Sequence, residues 1–207
     1  MRMVVSTDRV ADMGARLREE RERCGISQRE LAKRLGVSAS LISQIETGQS
    51  KPSVVTLYAY VSELGVSLDR LFDPTQGEPR PPAATTGPGV PAASPLVRPE
   101  ERLCITLESG VRWERLTREP GGDVDFLHVV YEIGGASSLD ETLMRHPGTE
   151  YGHVISGKLC VQLAFERYVL EAGDSISFDS ARPHRFWNVG DEPVHGIWFV
   201  RGRNRLD

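Results

Sequence analysis

The segment DPTQGEPRPPAATTGPGVPAASPLVRP, residues 73–99, constrains this chain more than any other stretch. It holds 8 of the 13 prolines and almost no large apolar residue. It cannot bury enough surface to offset the entropy of ordering it, so it is expected to be a semi-extended tether between domains. Such a segment can also serve as a proline-rich ligand for a partner; an interdomain tether is the stronger reading. It divides the chain into residues 10–72, 73–99 and 100–203, and the sequence pattern differs on its two sides.

Before it, the period is helical. MGARLREERERCG is expected to place Val10, Met13, Leu17 and Cys24 on one face, with Gly25 as a stop. SQRELAKRLG follows, with Ser27 as cap, Glu30 completing a capping box and Gly36 ending the helix. SASLISQIETG is capped by Ser38 and stopped by Gly48, and SVVTLYAYVSELG and SLDRLF make a fourth and a fifth helix. The expectation is a compact all-α domain. After the tether the period falls to two. KLCVQLAF alternates Leu159, Val161, Leu163 and Phe165, and DSISFD and HGIWFV behave alike. Gly and Pro turns punctuate them, as in a small all-β barrel or sandwich.

Charge separates the halves further. Residues 1–72 carry 11 Lys+Arg against 9 Asp+Glu, a balance of +2, and residues 73–207 carry 14 against 20, a balance of −6. A nucleic-acid surface therefore belongs to the first half. No stretch approaches the ~20 apolar residues of a membrane span, and MRMVVSTDRV lacks the apolar core of a signal peptide. Cys24, Cys104 and Cys160 are far apart, with no CxxC. They are expected to be reduced thiols of a cytoplasmic protein.

The third helix shows what the first half could bind. At about 100° per residue, Ala39, Ser43, Ser40 and Gln44 share one face, and Leu41, Ile45 and Ile42 share another. A face of small polar residues lets a helix sink into the major groove. Gln44 can bridge adenine N6 and N7, Ser40 can pair with several base edges, and Ala39 can touch a thymine methyl. Gln28 opens the preceding helix, where free N–H groups and the dipole favour a phosphate. Lys51 in TGQSKPS can supply another phosphate contact.

Residues 26–72, ISQRELAKRLGVSASLISQIETGQSKPSVVTLYAYVSELGVSLDRLF, resemble the helix-turn-helix of phage-repressor-like, XRE-type regulators. The joint pattern of Gln28, Ala32, Gly36, Val37, Ile42, Ile45, Glu46, Gly48, Pro52 and Leu57 carries the likeness. The resemblance implies DNA contacts at Gln28, Ala39, Ser40, Ser43 and Gln44, and structural roles for Ala32 and Glu46.

The second half resembles the cupin, a double-stranded β-helix barrel. Its first motif reads His146, three residues, Glu150, six residues, Gly157. Its second reads Gly173, five residues, Asp179, then Ala181, His184 and Asn188. The resemblance assigns His146, Glu150 and His184 to the places of metal ligands, and Met144 stands where the family has a further histidine. Two imidazoles and a carboxylate can bind one face of a divalent ion and leave positions open. The same residues can instead be hydrogen-bonded pocket groups without metal, and both readings stand at this point. Met144, Tyr131, Arg112 and Trp198 are candidates for the wall of an effector pocket. His153 is expected on the opposite face, and His128 and His195 are expected to be packing or surface residues.

Together the resemblances imply a sequence-specific transcriptional regulator that binds a double-stranded DNA operator. Its cupin half would dimerise and sense a small-molecule effector, with no enzymatic activity and no membrane partner. The alternative is a 2-His-1-carboxylate iron enzyme similar to the repressor-like epoxidases, which share this domain order.

Overall fold

A computed structural model describes residues 8–66, 68–72, 95–118, 124–138 and 140–202. Most of the expected tether, residues 73–94, lies outside the described residues, as does residue 203.

The first half is helical: α1 Asp8–Arg23, α2 Gln28–Leu35, α3 Ala39–Glu46, α4 Val54–Leu64 and α5 Asp69–Phe72. Ser27, Ser38 and Ser53 each accept a hydrogen bond from the N–H three residues on, at 3.1 Å, which satisfies one free donor at the start of α2, α3 and α4. Gly36 and Gly65 take the left-handed conformation that ends α2 and α4. Two expectations fail here. The capping box of α2 closes on one side only: Glu30 turns to Arg34, four residues on, at 2.8 Å. Cys24 lies past the end of α1 and is exposed; beside the buried Met13 and Leu17, the inner face continues through Arg21. The side chain of Val10 lies outside the described residues. Gly14 lets α1 cross the end of α3, since a β-carbon there would lie 2.3 Å from the Ile45 carbonyl oxygen. Leu17, Leu31, Ile42, Ile45, Leu57 and Val61 fill the space between the helices.

The second half is a pair of antiparallel sheets. The strands are β1 Cys104–Thr106, β2 Val111–Arg115, β3 Val124–Tyr131, β4 Thr149–Ser156, β5 Leu159–Leu163, β6 Glu166–Leu170, β7 Ser175–Asp179, β8 His184–Asn188 and β9 Val194–Arg201. One sheet runs β1-β2-β3-β9-β4-β7 and the other β6-β5-β8. Their inner faces meet through Phe186 of β8, which packs against Trp198 of β9 and Tyr131 of β3. Strand alternation sorts β4 cleanly: Glu150, Gly152 and Val154 point in, while Tyr151, His153 and Ile155 are exposed. Phe165 departs from the alternation expected of it. The strand stops at Leu163, Ala164 takes a positive φ of 56° in the hairpin, and Phe165 is fully exposed at its tip.

The helical half docks on the barrel through α4. The N–H of Val55 donates to the Ser137 carbonyl at 3.2 Å, and the N–H of Glu108 donates to the Pro52 carbonyl at 3.1 Å. One turn further along α4, Tyr58 inserts its ring against the barrel.

Candidate functional site

His146 precedes β4, Glu150 is the second residue of β4, and His184 opens β8. Backbone pairing fixes their register: Met144 and His184 exchange both hydrogen bonds, at 2.9 and 2.8 Å, and His146 N–H donates to Ser180 at 3.0 Å. All three side chains are almost wholly buried. Glu150 Oε1 lies 3.0 Å from His146 Nε2 and 3.1 Å from His184 Nε2.

At these distances each contact is an ion pair if the ring is protonated and has no hydrogen bond if it is neutral. His146 Nδ1 lies 3.0 Å from the Pro147 carbonyl, and His184 Nδ1 lies 2.8 Å from the Arg182 carbonyl. A carbonyl only accepts, so each Nδ1 carries the proton and each Nε2 presents a lone pair in the neutral ring. Glu150 Oε1, His146 Nε2 and His184 Nε2 are all buried without a hydrogen-bond partner. Three lone-pair donors converging in a dry space repel one another unless a positive charge sits among them. Two bonds of about 2.1 Å at a right angle place their ligand atoms about 3.0 Å apart. The spacing thus fits adjacent ligands of one divalent ion, and among the described residues these three form the cluster able to hold one.

The surroundings support the same arrangement. Trp198 Nε1 donates to Glu150 Oε2 at 2.7 Å, fixing the carboxylate's orientation. Gly152 makes room for that indole: a β-carbon there would meet it at 2.3 Å. Tyr131 is fully enclosed, and burial, with Tyr58 and Glu150 nearby, pushes its phenol well up and keeps it neutral.

Of the four pocket candidates, Tyr131, Trp198 and Met144 are buried in the barrel core. Arg112 is a correction. On β2 it alternates with Trp113, whose ring meets Tyr58 edge-on. Arg112 therefore faces outward, where it pairs with Glu114. His153 is exposed and bonds Ser175 on the outer face. His128 and His195 sit outside as well, but not alone: they stack with ring centroids 5.3 Å apart, and His128 Nδ1 meets Glu114 at 2.9 Å.

In the helical half, Ser40 and Gln44 are exposed on α3, and Ala39, Ser43, Gln28 and Lys51 are half-buried. Ile42 and Ile45 are buried on the other side, which leaves the polar face outward. Behind it lies a network that the sequence did not disclose in full. Glu46 accepts from Arg21 Nε at 2.6 Å and Nη2 at 2.9 Å, from Gln28 Nε2 at 2.8 Å and from the Tyr60 hydroxyl at 2.6 Å. Gln28 therefore has its amide nitrogen committed to the frame. Tyr58 is the other residue that sequence reasoning missed: its ring lies parallel to His146, centroids 4.7 Å apart and planes 7° from parallel. A signal for it existed in α4, VVTLYAYVSEL, whose apolar residues go almost all the way round, as in a helix covered on both sides.

The comparisons agree with this architecture. The helix-turn-helix family model HTH_3 matches residues 17–71, and the cupin domain model Cupin_2 matches residues 127–200. The HTH-type transcriptional regulator PuuR of Escherichia coli (strain K12) is 27% identical over 85% of this chain and 87% of its own. This chain is an XRE-type helix-turn-helix regulator with a cupin domain. SutR, an HTH-type transcriptional regulator of the same organism, is 24% identical over 86% of the chain and 88% of its own length. A crystal structure of an HTH_3 family transcriptional regulator from Vibrio cholerae has the same fold, with a TM-score of 0.64 at 21% identity, covering 94% of this regulator and 97% of that chain. No helix among the described residues is long and apolar enough to cross a membrane.

Proposed function

We propose that this DNA-binding regulator reads its operator as a cytoplasmic homodimer, with the outward face of α3 in the major groove. Gln44, Ser40, Ala39 and Ser43 meet base edges, and the backbone N–H groups at the start of α2, at Gln28, hold a phosphate together with Lys51. The barrel binds a divalent ion at His146, Glu150 and His184 and senses a small effector beside it, without catalysis. Such an ion would supply open positions for an anionic or carbonyl oxygen of the effector. The single observation that carries the sensing half is the buried meeting of three potential ligand atoms, none with a hydrogen-bond partner among the described residues. Dimer formation is supported by the outside of β4, β7 and β9, where Tyr151 and Ile155 stand exposed beside a groove lined by Ile176, Ile197 and Phe199.

Genomic footprinting of the purified protein tests the reading, repeated with metabolites of the genes it marks. The expected footprint is a pair of half-sites about 34 Å apart, one helical turn, whose occupancy changes with one metabolite. An absence of preference among duplexes would end the regulator mechanism; an unchanging footprint would end only the sensing half. The same three ligands also suit an iron-dependent oxygenase, and that second reading would take over if the iron-loaded protein consumed oxygen with a small organic substrate.

A further inference from the structure

The metal-binding cluster and the reading helix are joined by one helix, α4. Its first turn is bonded to the barrel by the Val55 N–H on the Ser137 carbonyl. Ser137 is itself bonded both ways to Phe186 of β8, two residues from His184. One turn later Tyr58 is stacked on His146 and closed in from the side by Trp113, at 5.5 Å. Two residues further, on the opposite side of α4, Tyr60 donates to Glu46 at the end of α3, which in turn holds Gln28. The buried rings of Tyr58 and Tyr60 thus look in opposite directions, one at a candidate metal ligand and one at the frame of the recognition helix.

We propose that Tyr58 is a positioning residue that couples occupancy of the His146–Glu150–His184 site to the docking of the helical half. The inference rests on the reading of that site as a divalent-ion site. With an ion in place, His146 is fixed by a bond at Nε2 and by the Pro147 carbonyl at Nδ1, and its ring is a firm platform for Tyr58. Without an ion, Nε2 has no hydrogen-bond partner, and the ring is held at Nδ1 by the Pro147 carbonyl. A ring held at one nitrogen can turn, and turning it removes the platform. The two states therefore differ in contact energy at α4, which is what a coupled equilibrium requires.

Amide hydrogen exchange of the full chain, with and without Co2+, tests this, with Co2+ uptake followed by its visible absorption. In the unaltered protein, Co2+ is expected to slow exchange in residues 54–64 at least several-fold. Tyr58→Leu is expected to bind Co2+ severalfold more weakly and, at saturation, to show slowed exchange in the barrel strands alone. Tyr58→Phe keeps the ring and is expected to retain the Co2+-dependent slowing in residues 54–64, which separates loss of the stack from loss of folding. Co2+ uptake without a change in residues 54–64, or full protection of them in Tyr58→Leu, overturns the coupling and leaves the metal site standing. Failure of the unaltered chain to take up Co2+ overturns the site reading and the coupling with it.

Discussion

Each half of the molecule buries a glutamate, and the two are treated in opposite ways. Glu46 has both oxygens filled: Arg21 grips it twice, and Gln28 and Tyr60 complete the set. Glu150 has one oxygen filled by Trp198, and its other oxygen faces two ring nitrogens without a hydrogen-bond partner. The first is a closed arrangement, and closing it holds α1, α2, α3 and α4 in one frame. The second is open toward a point in space, where the proposed cation would satisfy it. Burial of a charge is common to both, so burial alone does not mark a functional site; an unanswered direction does.

The largest expected effect breaks the closed member. Glu46→Gln leaves the Arg21 guanidinium buried without its counter-charge, and losing one partner of such a pair costs about 3–5 kcal/mol. Urea unfolding followed by the helical circular dichroism signal measures it; a cost under about 1 kcal/mol would mean that Glu46 is not the frame. The same carboxylate sets a pH dependence. Burial would raise its pKa, but the bonds from Arg21, Tyr60 and Gln28 outweigh this and lower it. Its contribution is thus complete above the unfolded-state value of about 4.3 and drains away as the pH falls through the lower folded-state value. An acid titration should show the helical half losing stability there, and Glu46→Gln should flatten that loss.

The open member predicts the reverse. In Glu150→Gln the amide can donate to a bare imidazole nitrogen, so the metal-free chain should be as stable as before or more so. Its affinity for Co2+ should fall by at least about 100-fold, or about 2.8 kcal/mol, since residues that only support a ligand already cost up to that much. Calorimetric titration with Co2+ and thermal unfolding of the metal-free protein read the two effects separately. A destabilised metal-free variant would show that Glu150 is as closed as Glu46.

What the sequence discloses follows from how local the cause is. Ser27, Ser38 and Ser53 act within one turn, so the helix starts are legible. The convergence of His146, Glu150 and His184 is legible because β-strand register ties them to fixed motif spacings. Glu30 fails as a box because Arg34, four residues on, offers its carboxylate a charged partner instead. Phe165 fails because the hairpin after Leu163 interrupts a period that its apolar character continues. Arg112 fails by one place: strand alternation sends Trp113 inward and Arg112 out, and the arginine's chemistry says nothing of that parity. Tyr58 meets its partner across the tether and between two domains, a distance that no spacing rule spans.

The outward face of α3 offers the smallest and most selective tests, because the closed frame behind it fixes what the exposed side chains can do. Gln44 is exposed and uncharged, so Gln44→Ala should cost about 1–3 kcal/mol on the operator and relax one base position, read by selection of preferred duplexes. An unchanged preference would remove Gln44 from the reading face. Lys51 lies in the loop after α3 and carries a charge, so the contact expected of it is with the phosphate backbone. Lys51→Ala should weaken all duplexes alike and lower the slope of log affinity against log salt by about one. The two substitutions therefore separate in opposite experiments: Gln44→Ala changes the sequence profile and leaves the salt slope, and Lys51→Ala does the converse. If Lys51→Ala altered the profile, the loop would be reading bases, and α3 with its closed carboxylate would share the work of recognition with a segment that the frame does not hold.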